Sequence, residues 1–236
     1  MKNARTLRLT PAHLACLPVI DDPGHPNYPG VRPALDTDYD AEVARIMANA
    51  PEGEFWIFAY GSLLWNPATA FDQQRIAIAR GWHRSFCLFD ARYRGNPRAP
   101  GLMLCLDRGG SCRGVAYRLP ADAIRANLDQ LIRREMSMAP TAFPGRWISV
   151  ATEHGPLRAL AFTIDRSNSR YVGGLSLVER ADRLAVAHGW KGSMAEYVHA
   201  TVTKLEELGI HDESLWTLQE LIAERIEAAY PADRKV

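Results

Sequence analysis

Two stretches of this sequence carry residue types that could do chemistry. The first is Phe58-Ala59-Tyr60-Gly61-Ser62-Leu63, where an apolar run stops abruptly at a glycine and a serine. Glycine lets the backbone curl, so the amides of the following residues can converge on an anion. A tight turn after a core strand is the other reading of the same residues. The second stretch ends at Glu135. At about 100° per residue this side chain falls within the stripe formed by Ile124, Leu128 and Leu131, while Arg133 points the opposite way. A carboxylate aimed at a core, near a helix C-terminus, has its charged form disfavoured both by burial and by the helix dipole, which raises its proton affinity. The alternative is a frayed last turn in which Glu135 pairs with Arg134 in solvent. An amide loop and one basic carboxylate suit a reaction that needs a general base, an anion-holding turn and no cofactor.

Other chemistries find little support. A phosphate-binding glycine loop of either common spacing is absent from the sequence. His83, His154, His188, His199 and His211 are scattered singly, and Cys16, Cys87, Cys105 and Cys112 form no C-x-x-C pair, so no metal site is expected. Gly109-Gly110-Ser111-Cys112-Arg113-Gly114 lacks the spacing of a nucleophile turn, and Cys112 opens a predicted core strand, which argues against a covalent intermediate. Residues 65–118 hold nine Arg, no Lys and three acidic residues, a bias suited to carboxylate or phosphate ligands. Yet the whole chain has a net charge of +1, and Arg92, Arg94 and Arg98 have only Tyr93 beside them, so neither nucleic acid nor a membrane surface is expected as partner. A non-enzymatic anion-binding protein is the competing class; an inward carboxylate beside its ligand would serve it poorly. Pro18 cuts short the N-terminal apolar stretch and no long apolar run follows, so a cytoplasmic protein is expected.

The elements that must position these residues read as follows. Residues 1–36 contain six prolines and suggest an extended arm; residues 37–230 suggest one domain. Thr37 offers an N-cap for a short helix ended by Pro51. The run 55–63, apolar and aromatic, predicts a strand buried on both faces at the centre of a sheet. Strands follow at 75–80, 84–89, 102–106 and 112–119, the last two joined through Asp107-Arg108-Gly109-Gly110 as an antiparallel hairpin. Pro120 opens the helix that carries Glu135. Two more strands, 146–152 and 157–164, turn at Gly155. Three closing helices start at Ser176, Ser193 and Asp212, with Gly189 and Gly209 placed as C-terminal glycines. Strands first and helices afterwards predict an α+β fold built on antiparallel sheet or barrel.

The chain also resembles the gamma-glutamylcyclotransferases of the ChaC-like, glutathione-specific type. The resemblance runs from about Phe55 to about Leu218. It rests on Phe58 to Pro67, on Gly81-Trp82-His83-Arg84-Ser85-Phe86-Cys87, on Arg94-Gly95 with Pro100-Gly101-Leu102, and on Gly109 to Leu119. Arg134-Glu135-Met136 and Tyr171-Val172-Gly173-Gly174-Leu175 complete it. It implies a small, mostly antiparallel β-barrel with flanking helices, and cleavage of glutathione to 5-oxoproline and cysteinylglycine without a cofactor. It implies Glu135 as the catalytic carboxylate, with Tyr60, Gly61, Ser62, Leu63, Arg94 and Tyr171 as substrate-binding residues. One position departs from the family pattern: Phe143 stands where a Tyr is usual, before Pro144 and Trp147. Other gamma-glutamyl amines are the alternative substrates.

Overall fold

The computed structural model describes residues 5–231. In chain order the elements are α1 (Pro11–Leu14), β1 (Arg32–Pro33), α2 (Asp36–Ala48), β2 (Trp56–Ala59), β3 (Gln73–Asp90), β4 (Gly101–Arg118), α3 (Ile124–Glu135) and β5 (Met138–Ala139). They continue as β6 (Gly145–Thr152), β7 (Gly155–Phe162), α4 (Leu177–Leu184), β8 (His188–Gly189), β9 (Gly192–Ser193), α5 (Met194–Glu207) and α6 (Glu213–Ala229). They sort into two compact units, one of residues 27–88 and 104–171, the other of residues 1–26, 89–103 and 172–236.

The first unit is a closed barrel in the order β2-β4-β3-β6-β7. The apolar, β-branched and aromatic run 56–59 has no polar face to give to water, so β2 lies between two neighbours: antiparallel to β4, with Ala59 opposite Val115, and parallel to β7, with Ile57 opposite Leu160. All four of its residues are buried. Trp56, Phe58 and Tyr60 share one face of the chain by period two and join Ala77, Ala79, Leu106, Ala116, Ile148, Val150, Ala159 and Ala161 in one cluster. Small alanines opposite large aromatics are what a narrow barrel needs to fill without voids. On the outside, α2 reaches β6, where Trp147 Nε1 donates to Ile46 O at 3.3 Å.

Three sequence expectations are corrected in this unit. The strands expected at 75–80 and 84–89 are a single strand, β3, and the expected hairpin at 102–119 is the single strand β4. The reason is local: Gly81 (φ 79°), Gly109 (φ 110°) and Gly110 (φ 67°) take left-handed backbone within the strands and bend them around the barrel instead of reversing them. His83 Nδ1 lies 3.1 Å from Gly109 O at this bend. The helix α2 begins at Asp36 with Leu35 as N-cap, ahead of the expected Thr37, because the Asp38 carboxylate accepts the Leu35 N–H at 2.8 Å.

The second unit packs α4 and α5 on α6, with α1 against α6. The proline-rich arm is anchored there: Leu9 is fully buried, its N–H donates to Gln219 Oε1 at 2.9 Å, and Arg8 pairs with Glu224 and Glu227. Ser176 and Ser193 cap α4 and α5 by accepting the N–H groups of Glu179 and Glu196, and Asp212 caps α6. Gly209 (φ 68°) follows α5 as expected. Gly189 does not end a helix. It lies in β8, where a Cβ would come within 2.7 Å of three backbone carbonyls, those of Tyr93, Arg92 and Gly95, so its small size and not its torsion is what the site requires.

In the barrel, Gly114 is the position where packing leaves least room. An added Cβ would meet Ala59 O at 2.3 Å and the Phe58 ring at 2.9 Å. Alanine would gain about 0.5–1 kcal/mol of backbone preference in a strand, but forcing apart the β2–β4 pair should cost about 1–3 kcal/mol, so the clash wins. Gly114→Ala is therefore expected to lower the urea midpoint with little change in slope; a midpoint at or above the parent's would refute this packing account.

Candidate active site

The site is built where β2 ends. After Ala59 the chain passes Tyr60, whose hydroxyl donates to Phe162 O at 2.7 Å and whose carbonyl accepts from Arg84 Nε at 2.7 Å. Tyr60 thereby ties the strand end to β7 and β3. Gly61 follows with φ −137° and ψ −128°, outside the left-handed region, and Ser62–Leu64 form one 3-10 turn. Leu63 and Leu64 bury their side chains. The amides of Leu64, Trp65 and Asn66 donate to the carbonyls of Gly61 and Ser62, at 2.9, 3.3 and 2.8 Å. The first amides of a helical turn have no acceptor within the turn, and here those are the N–H groups of Ser62 and Leu63.

Glu135 is the last residue of α3, a helix that buries Leu128, Leu131 and Ile132. Its side chain is 21% exposed, and Arg134 Nε stands 3.2 Å from its Oε1. The carboxylate is mostly withdrawn from water, as the inward reading expects, and of the alternative only the pairing with Arg134 is found, not a frayed turn in solvent. Burial pushes its pKa above the ordinary 4.5, and the Arg134 guanidinium opposes that rise. Arg133 points away, pairing with Asp129 at 2.9 Å and Asp36 at 2.7 Å.

Arg134 brings the two sequence candidates together. Its Nη2 donates to Ser62 Oγ at 2.9 Å and its Nη1 to Asn66 O, while Nε faces Glu135. The amide turn and the carboxylate are thus joined by one guanidinium. Sequence reading treated Arg134 only as a possible partner of Glu135; its reach to residues 72 and 68 positions earlier leaves no local signal.

Tyr171 belongs to a neighbouring polar cluster of the same unit. Its hydroxyl donates to Asp107 Oδ2 at 3.0 Å, Arg166 Nε donates to Asp107 Oδ1 at 2.7 Å, and Asp107 is 3% exposed. Burial pushes the Asp107 carboxyl up, but Arg166, the Arg108 amide and Tyr171 together hold it below its ordinary range. Burial first, and then the bond to Asp107, raise the Tyr171 hydroxyl. Asp107, read from sequence as a turn residue, is the polar centre of this cluster. Arg94 lies in the other unit, where Nη1 donates to Glu196 Oε2 at 2.8 Å and Ser193 O at 3.0 Å, and where its amide is fixed by the buried Asp90. Phe143 has its N–H on Thr141 Oγ1 and offers no hydroxyl. Among the described residues no group of three or more His, Cys, Asp and Glu side chains could hold a metal ion, and no helix is long and apolar enough to cross a membrane.

Residues 55–225 match the family described as ChaC-like protein. Over 177 residues the chain is 36% identical to a glutathione-specific gamma-glutamylcyclotransferase of Escherichia coli (strain K12), a match that covers 74% of this chain and 76% of that one. It is 32% identical to glutathione-specific gamma-glutamylcyclotransferase 1 of Mus musculus, across 61% of this chain and 66% of the other. A crystal structure of a gamma-glutamyl cyclotransferase specific to glutathione from yeast superposes with a TM-score of 0.66 at 21% identity, covering 73% of this chain and 97% of that one, which is a likeness of fold. The strand-end turn and the α3 carboxylate described above fall inside the matched residues, and the chain belongs to the ChaC-like family.

Proposed function

We propose that this protein is a cytoplasmic gamma-glutamylcyclotransferase that cleaves glutathione to 5-oxoproline and cysteinylglycine, with Glu135 as its general base. The observation that carries the reading is the Glu135 carboxylate: mostly buried, raised in proton affinity and joined through Arg134 to the turn at Ser62. The names borne by the relatives in Escherichia coli and Mus musculus support the same substrate.

The reaction needs no covalent adduct. The substrate's own α-amine attacks its γ-carbonyl carbon and closes a five-membered lactam, so the nucleophile is already tethered to its target. That amine arrives as an ammonium and must first lose a proton, which Glu135 takes. Attack forms the new C–N bond and places negative charge on the carbonyl oxygen. Collapse breaks the bond to the cysteinyl nitrogen as the proton held by Glu135 passes to that nitrogen; the emptied carboxylate then takes the second proton from the positively charged ring nitrogen, leaving a neutral lactam, and that proton passes on to the released α-amine, which departs as an ammonium. A carboxylate raised toward neutrality by burial suits both halves of this exchange better than an ordinary one. The Ser62 and Leu63 amides are suited to an anionic oxygen of the substrate. Tyr171 is a candidate for substrate contact on the chemistry of its own group, a hydroxyl for a polar atom.

Mass detection of 5-oxoproline after incubating the pure protein with glutathione tests the proposal directly. Absence of product under conditions where the fold is intact would leave a binding protein. Glutathione should be preferred over gamma-glutamylalanine, because it adds a thiol and a second peptide unit that carries the terminal carboxylate further from the scissile bond; equal kcat/KM for the two would leave cyclotransfer standing and remove the claim of glutathione specificity.

Glu135→Gln should keep the fold and the substrate affinity while lowering kcat by at least roughly 10²-fold to 10⁴-fold, the range of a positioned acid-base group, since an amide cannot accept the ammonium proton. Near-parental turnover would remove Glu135 from the chemistry. Stability gives an independent check. With its pKa raised in the folded state, native Glu135 binds its proton more tightly than the unfolded chain does, so its contribution is intact below the ordinary 4.5 and is lost as pH climbs through the raised value. The stability of Glu135→Gln relative to the parent should therefore increase across that interval and then level off, as read by urea unfolding at a series of pH values. A difference independent of pH would mean that the carboxyl is not perturbed by folding.

A further inference from the structure

Arg134 touches both halves of the site. Nη2 donates to the Ser62 hydroxyl and Nη1 to the Asn66 carbonyl, while Nε forms an ion pair with the Glu135 carboxylate at 3.2 Å. A planar guanidinium with its donors in a rigid fork can hold two acceptors in fixed relative positions while its charge stands beside a carboxylate; a lysine ammonium on a flexible stem cannot. The consequence for Ser62 is chemical. Arginine has no acceptor, so Ser62 Oγ must receive the hydrogen from Arg134, and the hydroxyl's own hydrogen is left to be donated elsewhere.

We propose, building on the reaction above, that Arg134 is the positioning residue of this site: its guanidinium fixes the Ser62 hydroxyl as a hydrogen donor to the substrate and holds the Glu135 carboxylate in the orientation from which it removes the ammonium proton. The two polar partners of the substrate are thereby set by one side chain, not by two independent elements. The charge of Arg134 has a second effect. Burial alone would carry Glu135 toward its neutral form, in which it could accept nothing; Arg134 is the charged group that opposes this and keeps the base ionised. The other cations nearby in the fold are turned elsewhere. Arg133 pairs with Asp129 and Asp36, Arg32 with Asp38, and Arg84 donates to the carbonyls of Tyr60 and Arg113.

The test is the pH profile of kcat/KM for 5-oxoproline release from glutathione by the parent, Arg134→Met, Arg134→Lys, Ser62→Ala and the double variant Ser62→Ala/Arg134→Met, each checked for a cooperative unfolding transition. Arg134→Met should move the acid limb of the profile upward by about one pH unit, the scale set by an opposite charge at this distance from a carboxylate. Arg134→Lys should leave the limb near its parental place, because the charge remains, yet lose about tenfold in kcat/KM, because the fork is gone. Ser62→Ala should raise KM, and the double variant should lose less than the sum of the single losses, since without Arg134 the hydroxyl is no longer directed. An unshifted limb in Arg134→Met, a parental kcat/KM in Arg134→Lys, or strictly additive losses would overturn the proposal. If Arg134→Met fails to fold, Arg134→Lys decides; if that variant fails too, Arg134 is a structural clamp and the proposal falls. A parent that releases no 5-oxoproline would instead sink the reaction itself, a different outcome from a working parent whose Arg134 variants match it.

Discussion

The structure depends on the complete burial of one short strand. Trp56–Ala59 has no polar side chain to present to solvent, so its backbone must be paired on both edges and its side chains covered on both faces. The pairing with β4 on one side and β7 on the other meets that demand and closes the barrel. A closed barrel has no open edge, which removes the hazard that so apolar a strand would otherwise present. It also fixes where the chain emerges: Tyr60 leaves the barrel wall tied by its hydroxyl to Phe162 and by its carbonyl to Arg84, so the turn at Gly61–Leu64 starts from a rigid point. A site whose amides must stay within a fraction of an ångström of a ligand gains from such an origin.

Glu135 approaches the same place from a different element, and the two meet through electrostatics as much as through packing. A carboxylate at the end of α3 is disfavoured by burial and by the helix dipole, and it is made tolerable by a guanidinium on the preceding residue. Leaving either charge alone in that place would be costlier than the pair. The same balance that lets the fold accept Glu135 leaves it a stronger base than an ordinary exposed carboxylate.

Much of this was legible in the sequence, and the parts that were not share a cause. Period-two and 3.6-residue patterns are local, so the barrel strands, the apolar stripe of α3 and the inward direction of Glu135 could be read. The capping pairs at Ser176 and Ser193 are local as well. Glycine composition was ambiguous: Gly81 and Gly109-Gly110 take the positive φ of a hairpin turn, but the same torsions bend a continuous strand, and only the barrel's curvature selects between them. The link from Arg134 to Ser62 spans 72 positions and that from Arg166 to Asp107 spans 59, and neither leaves a trace in any short window. The arginine-rich segment was read as facing a ligand, whereas Arg118 pairs with Glu54 and Asp72, and Arg92 with Asp22. A count of charges cannot say which are already neutralised.

The way the chain threads its two compact units also dictates an order of assembly. Residues 27–171, apart from the excursion at 89–103, contain everything the barrel needs, so this unit is complete once α3, β6, β7 and Tyr171 have been made. The other unit unites the N-terminal arm with the final helix: Arg8 meets Glu224 across 216 positions, and the Leu9 amide meets Gln219 across 210. Contacts of that separation form only after the ends of a very long loop have found each other. During synthesis, then, the arm leaves the ribosome long before its partner in α6, and Leu9 stays in water until α6 is released.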